Sequence, residues 1–268
     1  AHAAPPPPPT VTDAPPPNHD NEPEADALGR RYVGWWNAQN DARREVEHVP
    51  TIDGVRLRVS PTVFSPDARL TYAPTLMART MPADLSGRRV LDLGTGCGVL
   101  AIAAALRGAA EVVAVDLSED AVADTAANVA SVERAGRLPR GVVRPIVGDL
   151  YDALPPDAGR FDLILGNLPI AADARPWREL GPIAQTLERC VAGLSERLAP
   201  DGQAMIGWAS FGPPNVMPDL LDRAGLRTSM THAETFGVTW SVCVARLAQV
   251  DDRSTAAGDL APNAWLSG

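Results

Sequence analysis

The residues with the clearest chemical use are three carboxylates and one carboxamide, each set inside or at the end of a short apolar run. Asp92 lies within VLDLGTGCGVL, residues 90–100, just ahead of Gly94, Gly96 and Gly98. Asp116 closes EVVAVD, Asp149 follows VVRPIV and opens DLYDAL, and Asn167 follows FDLILG. Glycines spaced G-x-G-x-G between a strand and a helix-forming run bring backbone N–H groups close to a ligand, because no Cβ blocks the approach. A dinucleotide-binding turn would read G-x-G-x-x-G and would need glycine at position 99. Val99 stands there.

These residues need strands and helices to carry them. Val90, Leu91 and Leu93 form a short apolar strand, and Ala101 to Leu106 are strong helix formers, with Gly108 as a helix C-terminal glycine. Glu111 to Asp116 is a second strand. Ser118 caps the next helix, with Glu119 and Asp120 in its first turn. Val142 to Val147 is a third strand, placed at a sheet edge by Pro145, which has no N–H to give to a ladder. Phe161 to Gly166 is a fourth, and Leu180 to Leu198 a helix. Pro218 to Ala224 continues a short helix, and the stretches around Gly237 alternate like an antiparallel pair. Alternating strands and helices predict an α/β fold, a parallel sheet covered on both faces.

Ahead of this core, residues 25–47 carry a helical stripe of Leu28, Tyr32, Trp35 and Trp36. Asp53-Gly54 between two alternating segments predicts a hairpin, and a turn at Ser65-Pro66-Asp67 leads into a helix ending near Met81. The expected organisation is a disordered proline-rich tail over 1–24, a helix-hairpin-helix cap over 25–85, a core over 86–249 and a loose tail over 250–268.

The G-x-G-x-G turn preceded by Asp92 resembles the first motif of class I S-adenosylmethionine (SAM) methyltransferases, and the later strand ends follow in that family's order from about Phe64 to Leu247. The acid suits that cofactor: a carboxylate beside the turn repels a pyrophosphate and attracts a sulfonium and an ammonium. The resemblance implies a Rossmann-like seven-stranded sheet of order 3-2-1-4-5-7-6. It also implies a SAM site built from Asp92, Gly94, Thr95, Gly96 and Gly98, with Asp116 on the ribose hydroxyls, Leu117 against the adenine, and Asp149 and the Leu150 N–H on the adenine edge.

Asn167 in GNLPI resembles the Asn-Pro-Pro-Tyr signature of methyltransferases acting on planar nitrogen, and implies a catalytic and cofactor-side residue. Its side-chain oxygen and the next carbonyl can hold a nitrogen with its lone pair aimed at the methyl group. Leu168 replaces the first proline, Pro169 matches, and Ile170 replaces the aromatic residue. Leu168, Pro169 and Ile170 are candidate acceptor-binding residues, as are Trp36 and Phe64 of the cap. Tyr72 is a second candidate catalytic residue, because aromatic rings can wall an acceptor pocket or meet a sulfonium by cation–π attraction. Trp35 and Trp36 are adjacent on one helix and cannot both face the pocket. His48 and His232 are lone histidines that could serve as a base for a phenol or ring nitrogen.

The expected acceptor is a small molecule methylated on planar nitrogen. An electron-rich aromatic carbon such as an indole, a protein glutamine amide, and a non-catalytic SAM-binding partner are the alternatives. A net charge of −9 argues against a nucleic-acid partner. Three cysteines without a C-x-x-C pair form neither a zinc pattern nor a disulfide framework and fit a cytoplasm, and no apolar run suits a membrane span. The Ala-, Arg- and Pro-rich composition suits a GC-rich bacterial genome and is compatible with secondary metabolism.

Overall fold

The computed structural model describes residues 31–36, 38–39, 42–170, 183–211, 216–235 and 237–248. The tails expected at 1–24 and 250–268 lie outside these described residues. A first helix, α1, is described over residues 31–36 and 38–39. A hairpin of β1 (Glu47–Pro50) and β2 (Arg56–Val59) follows, then α2 (Ala73–Thr80).

Next come β3 (Arg89–Leu93), α3 (Val99–Leu106), β4 (Glu111–Asp116), α4 (Glu119–Arg134), β5 (Val143–Val147), a short 3-10 turn (Leu150–Ala153) and β6 (Phe161–Gly166). The chain continues through α5 (Ile183–Arg197), β7 (Leu198–Ala209), α6 (Val216–Arg223), β8 (Leu226–Thr235) and β9 (Val238–Leu247). Seven strands form one sheet in the order β5-β4-β3-β6-β7-β9-β8. Numbered from β3, this is the 3-2-1-4-5-7-6 order, with β9 antiparallel between β7 and β8. Pro145 lies on the edge strand β5, opposite Ala114. Among the described residues no helix is long and apolar enough to cross a membrane.

The parallel strands bury both faces, so Leu91, Leu93, Val113, Val115 and Ile164 pack on one side and Val90, Val112, Leu163 and Leu165 on the other. Register aligns the strand ends: Leu93 pairs with both Val115 and Gly166, and Asp116 pairs with Val147. The segments leaving β3, β4, β5 and β6 therefore emerge along one edge of the sheet. Chain order reverses there between β3 and β6, the place where an open α/β sheet offers a ligand crevice.

The hairpin is wider than Asp53-Gly54 alone would make it. Pro50 pairs with Arg56, and the loop closes through Thr51 N–H to Val55 O at 2.8 Å and Gly54 N–H to Thr51 O at 3.1 Å. Its tip is tied to the core, which accounts for the extra width: Asp53 faces Arg107 at 3.3 Å, and the Asp53 and Gly54 carbonyls accept from Arg137. The turn expected at Ser65-Pro66-Asp67 lies later, where Leu70 N–H and Thr71 N–H donate to the Asp67 carbonyl. On α1 the stripe divides. Trp36 is 4% exposed, whereas Trp35 is 41% exposed and leaves the buried face.

One polar face of α4 anchors both the cap and the core. Asp124, Thr125 and Asn128 are buried. Asp124 accepts from Ser60 N–H at 2.5 Å, from Ser60 Oγ at 2.8 Å and from the Arg58 guanidinium. Asn128 Oδ1 accepts from Arg58 N–H at 2.8 Å, and its Nδ2 donates to Arg58 O at 2.8 Å and Cys97 O at 2.9 Å. Thr125 Oγ1 donates to Gly96 O at 2.8 Å. Asp124→Ala leaves the part-buried Ser60 donors unpaired, while the half-exposed Arg58 can turn to water. The expected cost is about 2–3 kcal/mol. Thermal unfolding followed by circular dichroism should show a fall of roughly 5–10 °C in Tm. An unchanged Tm would show that the hairpin is held by other contacts.

Candidate functional site

The turn after β3 is built on left-handed backbone. Gly94, Gly96 and Gly98 have φ of +70°, +57° and +84°. A Cβ on Gly94 would lie 3.0 Å from Leu168 Cδ2, and one on Gly98 3.0 Å from Thr125 Cγ2, so these two glycines serve packing. Gly96 has nothing within 4 Å of that position and faces open space. Gly94 and Thr95 N–H groups donate to Val115 O at 2.8 and 3.0 Å, tying the turn to β4. Cys97 is a small buried side chain whose carbonyl takes the Asn128 bond.

Asp92 is 1% exposed. Its Oδ2 accepts from Thr95 Oγ1 at 2.7 Å and Ala101 N–H at 3.1 Å, so the acid braces the turn it precedes. Its Oδ1 is buried with no partner among the described residues. Burial pushes the carboxyl up to about 7, and the negative charge of Asp116 adds to the rise. Asp116 Oδ2 accepts from Gly96 N–H at 2.8 Å and its Oδ1 from Ser118 N–H at 3.0 Å. Burial raises its pKa too. Its carboxylate thus holds the turn and opens α4, and each oxygen keeps a further lone pair.

A cavity of about 610 Å³ runs along this edge. It is lined by Asp92, Gly94, Thr95 and Gly96, by Asp116 and the 48%-exposed Leu117, by Gly148 to Leu150, and by Asn167 to Pro169. Arg189 on α5 also lines it and pairs with Asp149. Gly98 is absent from the lining, in keeping with its packing role. Arg189 carried no signal in the sequence, because it lies far along the chain from its partner and in an ordinary helical run.

A second cavity, about 60 Å³, adjoins the first. Its walls are aromatic: Tyr32, Trp36, Phe64, Phe211 and Trp240. Tyr32 stacks on Phe211 at 5.2 Å and meets Trp240 edge-on at 5.5 Å, and Trp36 lies 5.7 Å from Phe64. Two polar heads turn away from the space: Tyr32 Oη donates to Leu70 O, and Trp240 Nε1 donates to Thr235 Oγ1 at 2.8 Å. Phe64, Asn167, Leu168 and Pro169 line both cavities, and Ile170 lines the smaller. Asn167 sits against β7, where a Cβ on Gly207 would lie 2.7 Å from its Oδ1. Phe211, Trp240 and Gly207 carry no local signal in the sequence; only the sheet register brings Trp240 beside Ala209 and the start of the Phe211 segment.

Tyr72 does not join the site. Its neighbours Thr71 and Ala73 line the aromatic cavity, but Tyr72 itself is buried outside the lining, as the residue that opens α2. The histidines are also elsewhere. His48 is exposed on β1. His232 is buried on β8 with Nδ1 2.7 Å from Ser241 Oγ, and burial lowers its pKa.

A family model described as methyltransferase small domain matches residues 54–235. The chain is similar to a release factor glutamine methyltransferase of Bordetella pertussis, 34% identical over 201 residues that cover 65% of this chain and 68% of that one. It is also similar to a ribosomal protein L11 methyltransferase of Geotalea uraniireducens, 33% identical over 117 residues, 44% of this chain and 30% of that one. The match thus spans about a third of that L11 relative's length. Among solved structures, the fold is similar to that of a T. thermophilus 16S rRNA N2 G1207 methyltransferase in complex with AdoMet and guanosine. The TM-score is 0.55 at 22% identity, over 76% of this chain and 50% of that one.

The raised carboxyl of Asp92 gives stability a pH dependence of known sign. Its ordinary value is 3.8 and its folded value about 7, so between these the folded chain holds a proton that the unfolded chain has lost. Stability from this group is full below pH 3.8 and is lost as pH rises through about 7, by at most about 1.4 kcal/mol per pH unit. Asp92→Asn keeps an acceptor for Thr95 and Ala101 but does not titrate. In melts at pH 5, 6, 7 and 8 without ligand, the Tm of the variant minus that of the wild type should rise up to pH 7 and then level. A difference that stays flat would mean that Asp92 does not titrate in this window.

Proposed function

Because the chain belongs to the methyltransferase small domain family, we propose that it methylates a planar nitrogen on a small molecule seated among Trp36, Phe64 and the other aromatic walls. The protein is a class I SAM-dependent methyltransferase. The large cavity suits that cofactor. Gly96 leaves room for a ligand beside the turn, and the orphaned buried oxygen of Asp92 suits a cationic group. Asp116 would hold the ribose hydroxyls with its remaining lone pairs. Asp149 and the Leu150 N–H would meet the adenine, with Leu117 against its face. When bound, SAM supplies a methyl group on a positively charged sulfur.

The chain's own residues do the rest. Asn167 Oδ1 and the Leu168 carbonyl accept the N–H bonds of the acceptor and turn its lone pair toward the larger cavity. Alignment of this kind carries much of the rate in an in-line displacement. The observation that carries the reading is that Asn167, Leu168, Pro169 and Phe64 line both cavities at once. Phe64 offers the flat face that Ile170 lacks. Tyr32, Trp36, Phe64 and Thr71 all come from residues 25–85, so the cap builds the acceptor pocket on the core.

A second reading is methylation of a protein glutamine amide, favoured by the 34% identity with the Bordetella protein. Asn167 would orient that amide in the same way. The two readings differ in the aromatic walls, which a heteroaromatic ring would fill and an amide would touch only at its head.

Asn167→Ala should lower kcat at least about tenfold, near 1.4 kcal/mol, with SAM affinity within about threefold of wild type. The assay measures S-adenosylhomocysteine release on a panel of nitrogen heteroaromatics and a glutamine-bearing peptide. Phe64→Ala should cost more on a ring than on the peptide. Wild-type turnover by Asn167→Ala would overturn the nitrogen-orienting role.

A further inference from the structure

We propose that Arg189 is the positioning residue for adenine recognition: it fixes the Asp149 carboxylate so that Oδ1 stays available to the base. This rests on the reading above that Asp149 and Leu150 meet the adenine. Arg189 Nη1 donates to Asp149 Oδ2 at 2.7 Å and Nη2 donates to Asp152 Oδ2 at 2.8 Å. One planar guanidinium thus meets two acids of the same turn, and a fork constrains direction as well as distance. Asp149 Oδ1 has no partner among the described residues and remains an acceptor.

Stability is a weak reason for this pair. The Arg189 and Asp149 side chains are 47% and 46% exposed, and exposed ion pairs contribute little to folding. Both residues line the large cavity, so what the pair supplies there is orientation.

The turn that carries Asp149 is held in one shape from the same helix. Leu150 has φ of +48°, a left-handed conformation at a buried non-glycine residue. Such backbone persists only where its surroundings over-determine it. Tyr151 Oη donates to Cys190 O at 2.8 Å, and the absence of a side chain at Gly193 makes room for the Tyr151 ring. Residues 189, 190 and 193 of α5 therefore hold 149, 151 and 152, and the Leu150 N–H is fixed between them.

The adenine 6-amino group donates to a carboxylate oxygen. The 6-deamino purine analogue keeps N1 as an acceptor for the Leu150 N–H and loses only that donor. Calorimetric titration with S-adenosylhomocysteine and with its 6-deamino purine analogue reads this discrimination directly. Wild type should prefer the adenosyl ligand by at least about tenfold, the worth of one charge-assisted hydrogen bond. Asp149→Ala and Arg189→Met should both bring the two affinities to within about threefold. Arg189→Lys, which keeps the charge and loses the fork, should restore part of the preference. A merely structural Arg189 would weaken both ligands equally. Wild-type preference in Arg189→Met, with loss in Asp149→Ala, would overturn the positioning role and leave the adenine reading intact. Preference retained in Asp149→Ala, or absent in wild type, would overturn the adenine reading and the role of Arg189 with it.

Discussion

The buried polar face of α4 is the constraint on which the rest depends. Asp124 and Asn128 hold the backbone of Arg58 and Ser60, while Thr125 and Asn128 hold the carbonyls of Gly96 and Cys97. One helix therefore sets the hairpin and the glycine turn relative to each other. Buried polar groups are costly unless every partner is present, so this face tolerates few alternative arrangements. Phe64, five residues past the hairpin, inherits its place between the two cavities from that docking.

A second constraint is electrostatic. Asp92 and Asp116 lie close together beneath the large cavity, and burial raises both. Backbone and side-chain donors meet three of their four oxygens, and the fourth is Asp92 Oδ1. A floor with one unmet acceptor and two crowded acids is complementary to positive charge. This fits a cationic cofactor, and it gives a physical reason for an acid where phosphate-binding turns avoid one.

Much of the fold could be read from the chain. Continuous apolar runs such as Phe161 to Gly166 belong to strands buried on both faces, and Pro145 could sit only at an edge. Asp116, Asp149 and Asn167 stand at strand ends, and parallel register brings such ends together without further information. What could not be read depends on tertiary direction. Tyr72 and Thr71 are neighbours, and which of them faces a cavity is decided by the angle at which α2 starts. The width of the hairpin loop follows from Arg107 and Arg137, far along the chain. Trp240 and Phe211 join the aromatic wall through pairing of β7 with β9, and Arg189 reaches Asp149 across the space between α5 and the 3-10 turn. None of these contacts leaves a local pattern.

The place of β9 has a consequence for how the protein comes into being. The strand nearest the end of the sheet in sequence lies inside it, between β7 and β8. During synthesis β8 emerges with no strand to pair with, and it joins the sheet only once residues 238–247 have left the ribosome. The same strand carries Trp240, which meets Tyr32 from the opposite end of the chain. Contacts of such long sequence separation form late, since loop closure must precede them. The large cavity, lined by residues within 62–66 and 92–169 and by the start of α5, can take shape on a nascent chain well before the aromatic pocket beside it is closed.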